Sequence, residues 1–344
     1  MGPDCGTAII SAKPLAFANS IRSGKIGIVG ASGTGIQEVS VCIHKLGEGV
    51  SHAIGTGGRD LSSEVGGITM LDGIALLAED PDTEVLVLVS KPPAPEVEQR
   101  ILKIVSTIKK PVIVNFLGGS QEEVEKAGGI FAATLEEASV KAVEQLNGKF
   151  SKEPFATDFN VDEFISQEKA KYSDKQKYIR GFYTGGTLCK EAILALREFE
   201  VYSNIPARKE LKIADNHKSQ RHTVLDLGED DFTKGRPHPM IDPVSRNERL
   251  ILDSKDDEVR AFLFDVMLGY GSHEDPAGEL CNAINDMRAQ FKARNQHVTF
   301  IASICGVSED YQNLQEQKQK LEEAGVIIMP TNARACDLVA KLIC

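Results

Sequence analysis

Between residues 24 and 147, short runs of β-branched and aliphatic residues alternate with longer stretches whose apolar positions recur every three to four residues. The short runs predict strands at Lys25 to Val29, Val50 to Ile54, Val85 to Val89, Val112 to Phe116 and Ile130 to Ala132. The periodic stretches predict helices near 33–46, 68–79, 94–107, 120–127 and 134–147. VLVLV at 85–89 is apolar at every position, the pattern of a parallel strand with helices on both faces. These elements predict a doubly wound α/β domain.

Residues 148–178 are charged and poor in aliphatics, which predicts a linker or surface-wrapping segment. The alternation then resumes. Strands are expected at Ile179 to Tyr183, Thr223 to Leu227, Ala261 to Met267, Val298 to Ser303 and Val326 to Met329. Helices are expected near 186–198, 242–253, 276–292, 310–324 and 331–342.

The second half reads as a diverged copy of the first. GIVGASGTGIQEVSVCIHKLG at 27–47 parallels GFYTGGTLCKEAILALREF at 181–199, each a strand, a glycine-rich turn and a helix. VEKAGGIFAATLEEASVKAV parallels LEEAGVIIMPTNARACDLVAKL in the same way. Two α/β domains related by a pseudo-two-fold duplication follow, at 24–147 and 179–344, with ligands expected at the carboxyl ends of their strands.

Composition narrows the classes. The chain of 344 residues is 42% hydrophobic and 26% charged, and no apolar run approaches the roughly 20 residues that span a bilayer. A cytoplasmic location is expected. A net charge of −11, with basic residues scattered among acids, disfavours nucleic acid as a partner. The seven cysteines are odd in number and lack a C-x-x-C pair, so reduced thiols are expected, and no histidines fall at metal-ligand spacing, so no metal is expected.

The candidate chemistry lies in the turns after the strands. GASGTG at 30–35 ends a strand and opens a helix, so its N–H groups and the helix dipole suit a phosphate or carboxylate, with Ser32 and Thr34 adding hydroxyls beside Gly33. A tight turn that simply needs glycine would read the same way. As a dinucleotide fingerprint it lacks the third glycine, and no Gly-Lys-Ser/Thr follows to make a P-loop. TGGT at 184–187 repeats the arrangement with Gly185, Gly186 and Thr187.

GTGGRDL at 55–61 places Arg59 after Gly57 and Gly58, where a guanidinium suits carboxylate recognition, although a solvated arginine is an equal reading. GRPHPMIDP at 235–243 frames His238 with prolines beside Arg236, offering an acid–base or orienting imidazole, or else only a braced helix entry. YGSHEDPAGEL at 270–280 brings His273, Glu274 and Asp275 to the same edge, with Asp275 read as a helix cap.

MGPDCGTAII, SGKIGIVGASGTGIQE, AIGTGGRDL, YTGGTLCKEA, GRPHPMIDP and DPAGEL together resemble the succinyl-CoA synthetase (CoA ligase) superfamily, and within it the FdrA family. The resemblance implies flavodoxin-like, ligase-type domains and paired helix starts at Ser32, Gly33, Thr34 and at Gly185, Gly186, Thr187 that hold a phosphoryl or carboxylate group. It also implies that residues 1–23 are the remnant of the end of a CoA-binding Rossmann-like domain.

Two departures from the superfamily stand out. The ligases carry a phosphorylated histidine beyond the fourth strand, whereas here NFLGG runs directly into SQEEVEKAGG, and no histidine lies between His52 and His217. An ATP-grasp domain to phosphorylate one is not apparent either. The expected function is therefore a subunit of a carbamoyl- or acyl-transferring enzyme of the oxamate carbamoyltransferase type, in ureide (allantoin) catabolism. His238 and Arg59 are its candidate catalytic residues, and Ser32, Gly33, Thr34, Gly57, Gly58, Gly185, Gly186, Thr187 and Arg236 its candidate binding residues. The alternatives are a partner-dependent succinate–CoA ligase-like acyl-CoA synthetase and a noncatalytic assembly protein. Phosphate is the expected small co-ligand, CoA and ATP are not counted as cofactors of this chain alone, and the expected partners are a small carboxylic acid or acyl phosphate and other subunits of an oligomer.

Overall fold

The computed structural model describes residues 2–344, so Met1, part of the opening MGPDCG motif, lies outside the described residues. In chain order the elements of the first half are β1 (Thr7–Ile10), β2 (Lys13–Ala16), β3 (Ser23–Gly30), α1 (Gly33–Lys45), β4 (Val50–Gly55), α2 (Ile68–Glu79) and β5 (Val85–Ser90). They continue as α3 (Pro95–Val105), β6 (Val112–Phe116), α4 (Gln121–Lys126), β7 (Ile130–Phe131), α5 (Leu135–Asn147) and α6 (Val161–Lys169). The second half follows as β8 (Tyr178–Tyr183), α7 (Gly186–Ala195), β9 (Val201–Tyr202), β10 (His222–Asp226), α8 (Asp230–Thr233) and α9 (Val244–Asp253). It closes with β11 (Val259–Met267), α10 (Pro276–Ala293), β12 (Thr299–Cys305), α11 (Leu314–Glu323), β13 (Val326–Met329) and α12 (Asn332–Ile343).

Two compact units result: Met1–Pro154 with Gly269–Gly271, and Phe155–Leu268 with Ser272–Cys344. The first sheet has the order β2-β1-β4-β3-β5-β6-β7, and the second β13-β12-β11-β8-β10-β9. Setting aside β1, β2 and β9, both sheets carry five parallel strands in the spatial order second, first, third, fourth, fifth. This is the flavodoxin-like winding, and its two occurrences bear out the expected α/β duplication. The strand order reverses between β3 and β5 in the first unit and between β8 and β11 in the second, which puts the ligand crevice of each at those strand ends.

Burial explains the winding. Every residue of β5, β6 and β12 is buried, as the unbroken apolar runs require. Local chemistry sets the helix starts: Ser32, Ser120, Thr134, Asn160, Asp275 and Thr331 each accept a backbone N–H from the first turn of the helix they precede. Glycine is required at Gly30, where a Cβ would lie 2.8 Å from the Ile36 side chain and hold α1 off the sheet.

Two boundaries differ from the sequence expectation. Residues 1–23 do not stand apart from the first domain: β1 pairs antiparallel with β4 and with β2, extending the first sheet. The stretch 148–178 is a linker only in its first part. Asn160 caps α6, and Glu168, on that helix, is buried against β12, where its Oε2 lies 2.7 Å from His297 Nε2 and accepts the Thr299 hydroxyl at 2.5 Å. Burial alone would raise the Glu168 pKa, but hydrogen bonds from His297, Lys171 and Thr299 outweigh it and hold the group at about 2. The Tyr172 hydroxyl lies 2.5 Å from Thr299 Oγ1, and burial pushes that phenol up to about 12. No helix among the described residues is long and apolar enough to cross a membrane.

Candidate functional site

In the first unit, β3 delivers Ala31 and Ser32 to the start of α1. Ala31 N–H donates to Val89 O on β5 at 3.0 Å, and Ser32 Oγ accepts Gly35 N–H at 2.9 Å. The first intrahelical bond runs from Ile36 N–H to Ser32 O, so the Gly33 and Thr34 N–H groups precede the ladder and point out of the helix end. A Cβ on Gly33 would stand 2.9 Å from Thr7 Oγ1 of β1, so the Thr7 hydroxyl packs closely over this residue and a side chain there would have to displace it. Two free N–H donors with hydroxyls around them suit one phosphate or carboxylate.

The Gly57–Gly58 loop follows β4. Gly57 sits at φ +93°, and a Cβ there would collide with the Asp4 carboxylate, which accepts Arg59 N–H at 3.3 Å. The Arg59 side chain is exposed. Its neighbour Asp60 is buried and accepts Thr69 and Met70 N–H at 3.0 and 2.8 Å, so it fastens the first turn of α2.

In the second unit a buried carboxylate stands just ahead of the corresponding helix start. The buried carboxylate of Asp265, on β11, accepts Thr184 N–H at 2.8 Å, Gly185 N–H at 2.7 Å and the Thr184 hydroxyl at 3.1 Å. Arg246 of α9, also buried, donates from Nη1 to Asp265 O at 2.7 Å, and the same nitrogen is 3.6 Å from Asp265 Oδ1. Burial lowers the Arg246 pKa and the Asp265 charge opposes that shift. Gly185 N–H, expected to face a ligand, is thus committed to Asp265, while Gly186 and Thr187 form the first turn of α7.

His238 lies at the end of β10. A Cβ on Gly228 would meet His238 Nε2 at 2.6 Å, Thr184 O at 3.1 Å and Asp226 Oδ1 at 3.2 Å, so these three atoms converge on one spot. His238 Nδ1 accepts Met240 N–H at 3.2 Å, which leaves the proton of the neutral ring on Nε2. Burial lowers its pKa and nearby Asp265 only partly offsets this, so the neutral form prevails at pH 7. His273 N–H donates to Met240 O at 2.8 Å, joining the two histidine-bearing loops, and Asp275 is the expected cap of α10.

Arg236 is not part of this cluster: it is exposed and reaches Glu248 at 3.5 Å. Arg59 belongs to the first unit and His238 to the second. Asp265 and Arg246 were missed from sequence, and the single acid within the apolar run FLFDVML was the available signal. Among the described residues no group of three or more His, Cys, Asp or Glu is placed to hold a metal ion.

Comparison with known proteins fits this architecture. The CoA-ligase family model matches residues 182–342, and the CoA binding domain model matches 21–118, the stretch read from sequence as a first ligase-like domain. The uncharacterized protein YahF of Escherichia coli (strain K12) is 45% identical over 346 residues, covering 100% of this chain and 67% of YahF. The malate–CoA ligase subunit alpha of Methylorubrum extorquens is 30% identical over 41% of this chain and 49% of that subunit. The succinate–CoA ligase [ADP-forming] subunit alpha of Aquifex aeolicus is 32% identical over 34% of this chain and 38% of that subunit. Matches to those two ligase subunits thus span half of their length or less. With two flavodoxin-like units whose strand ends are built around helix starts, the chain belongs to the family of YahF within the succinyl-CoA synthetase-like CoA-ligase superfamily.

Proposed function

We propose that this chain is a cytoplasmic subunit of an acid–CoA ligase-type enzyme and holds a phosphate, or the carboxylate of a small acid, at the start of α1. The observation that carries the reading is the pair of outward N–H groups of Gly33 and Thr34 beside the Ser32 cap. The match of the CoA binding domain model to residues 21–118 supports the ligase type over the transferase type. The donor set suits a single small anion, and no step is routed here through CoA. In the second unit taken by itself, His238, neutral with its Nε2 proton facing the Thr184–Asp226 spot, would donate a hydrogen bond to an oxygen bound there.

The test is titration of phosphate, succinate, malate and oxamate against the full chain and against Gly33→Val, whose side chain would crowd the helix start beside Thr7. A loss of tenfold or more in affinity, on the order expected for a filled site, supports the assignment. Unchanged binding of every anion overturns it.

A second reading, carbamoyl transfer from oxamate with phosphate, is favoured by one observation. Only Leu117 to Ser120 separate β6 from α4, with no histidine there to carry a phosphoryl group. A carbamoyl phosphate assay and a succinate, CoA and ATP assay on the complex isolated with its partner subunits separate the two readings.

A further inference from the structure

Asn115 of β6 lies two strands across from β3, is 0% exposed, and has only half of its carboxamide satisfied. Its Nδ2 donates to Ala132 O at 3.0 Å, whereas its Oδ1 meets no donor among the described residues. Turning the amide over would set two oxygens against each other at Ala132, so its orientation is fixed. A buried acceptor left unmet is costly, and keeping one calls for a donor from outside the chain.

Strand alternation gives the direction of that oxygen. Leu86, Leu88, Val112, Val114 and Phe116 pack in the core under α2 and α3, so Val89 and Asn115 face the other side, where α1 and α5 pack together. Gly30, Val89 and Asn115 stand side by side on β3, β5 and β6, and Val89 O takes the Ala31 N–H that leads into α1. Since Nδ2 is turned to Ala132, just past β7, Oδ1 is turned the opposite way, towards β5 and the start of α1. Two strand spacings, about 10 Å, separate Asn115 from Gly30. A ligand that reaches from the Gly33 and Thr34 N–H groups to Asn115 is therefore larger than a bare anion.

The second unit repeats the feature. Ser303 of β12 stands beside Asp265 as Asn115 stands beside Val89, is 2% exposed, and has no partner for its Oγ among the described residues. Packing gives no reason for a polar residue at one place on two diverged sheets, in strands buried from end to end.

We propose that Asn115 selects the ligand of the first unit: its Oδ1 accepts a hydrogen bond from a small acid that carries a hydroxyl or N–H beside its carboxylate, and disfavours acids without one. The inference rests on the reading that the start of α1 holds the anion. A site built to hydrogen-bond one group rejects the analogue that lacks it, because the buried acceptor then stays unpaired.

Malate and succinate differ by one hydroxyl, so their relative affinity reads the contact. Calorimetric titration of both acids into the full chain should show malate binding about tenfold or more tighter. Asn115→Leu should remove that preference by weakening malate about tenfold while leaving succinate unchanged. Asn115→Ser, which gives β6 the residue that β12 carries, withdraws the carbonyl without adding an apolar side chain and should act likewise. Gly33→Val should weaken both acids alike. Equal affinities for malate and succinate in the wild type, or a malate preference that survives both Asn115 variants, overturn the proposal and leave the α1 site standing; an internal water on Oδ1 gives that result. Failure of both acids to bind, or binding indifferent to Gly33→Val, overturns the α1 reading and this proposal with it.

Discussion

The third parallel strand of each unit ends beside the first, and there the two units part company. Val89 neighbours Gly30 at the end of β3, and Asp265 stands at the matching place beside the end of β8. A second exchange accompanies the first, since the buried Met70 of α2 occupies the position that Arg246 holds on α9. The first unit therefore packs its strand end with apolar side chains and offers Ala31 only a backbone carbonyl. The second has installed a buried ion pair whose carboxylate takes the N–H groups of Thr184 and Gly185. One winding thus holds the residues just ahead of its two helix starts in different ways, and two side chains make the difference.

The sharpest way to break this comparison is to give the second unit the side chains of the first. Asp265→Val alone leaves Arg246 buried without its counter-charge and should destabilise by about 3–5 kcal/mol. Asp265→Val combined with Arg246→Met should recover most of that loss, because a well-packed apolar pair can replace a buried ion pair at little cost. Urea unfolding of both variants measures the difference. A single variant within about 1 kcal/mol of wild type would show that the pair does not carry the second strand end.

Acid separates the units next. The Glu168 cluster belongs to the second unit, and its carboxylate is held at about 2, below the ordinary 4.5. A depressed acid contributes stability above the unfolded-state value, and that contribution is lost as pH falls from about 4.5 towards 2. The expected loss is roughly 1–3 kcal/mol, with Tyr172 and the second core loosening before the first. Glu168→Gln should flatten the stability profile across that window, and an unchanged slope would refute the assignment.

The smallest expected effect is at the helix caps. Ser32→Ala removes the side chain that holds Gly35 N–H and should cost about 1 kcal/mol. Gly185, the residue preceding α7, contributes no side-chain cap, so the second unit has no equivalent loss to suffer. Thermal melting of Ser32→Ala measures the cap, and its repetition with phosphate tests whether an anion binds beside it.

Much of this architecture was legible from the chain because parallel strands buried on both faces leave unbroken apolar runs; Val112 to Phe116 and Val326 to Met329 were placed to the residue. The hairpin β1–β2 was not, since only one of its strands is buried and neither is longer than four residues. The charged face of α6 concealed it, although Asn160 ahead of Asp162 and Glu163, with Phe164 and Ile165 following, is a helix start. The glycine turns marked both helix starts correctly. The carboxylate ahead of the second was invisible, because an acid inside an apolar strand acquires meaning only from the N–H groups and the arginine that the fold brings to it. Arg236 misled for the opposite reason: its neighbours along the chain suggested a site, while its side chain turns to solvent and Glu248.

The anchoring of α6 also decides where the polypeptide can be cut. Lys149 and Lys152 are exposed ahead of the helix, in a stretch without regular structure, so trypsin has access there. A fragment released at that point keeps the helix that covers Thr299 and His297. One begun at residue 179, the boundary that composition suggests, would leave both facing water, and limited digestion followed by mass analysis should recover the first kind of fragment and not the second.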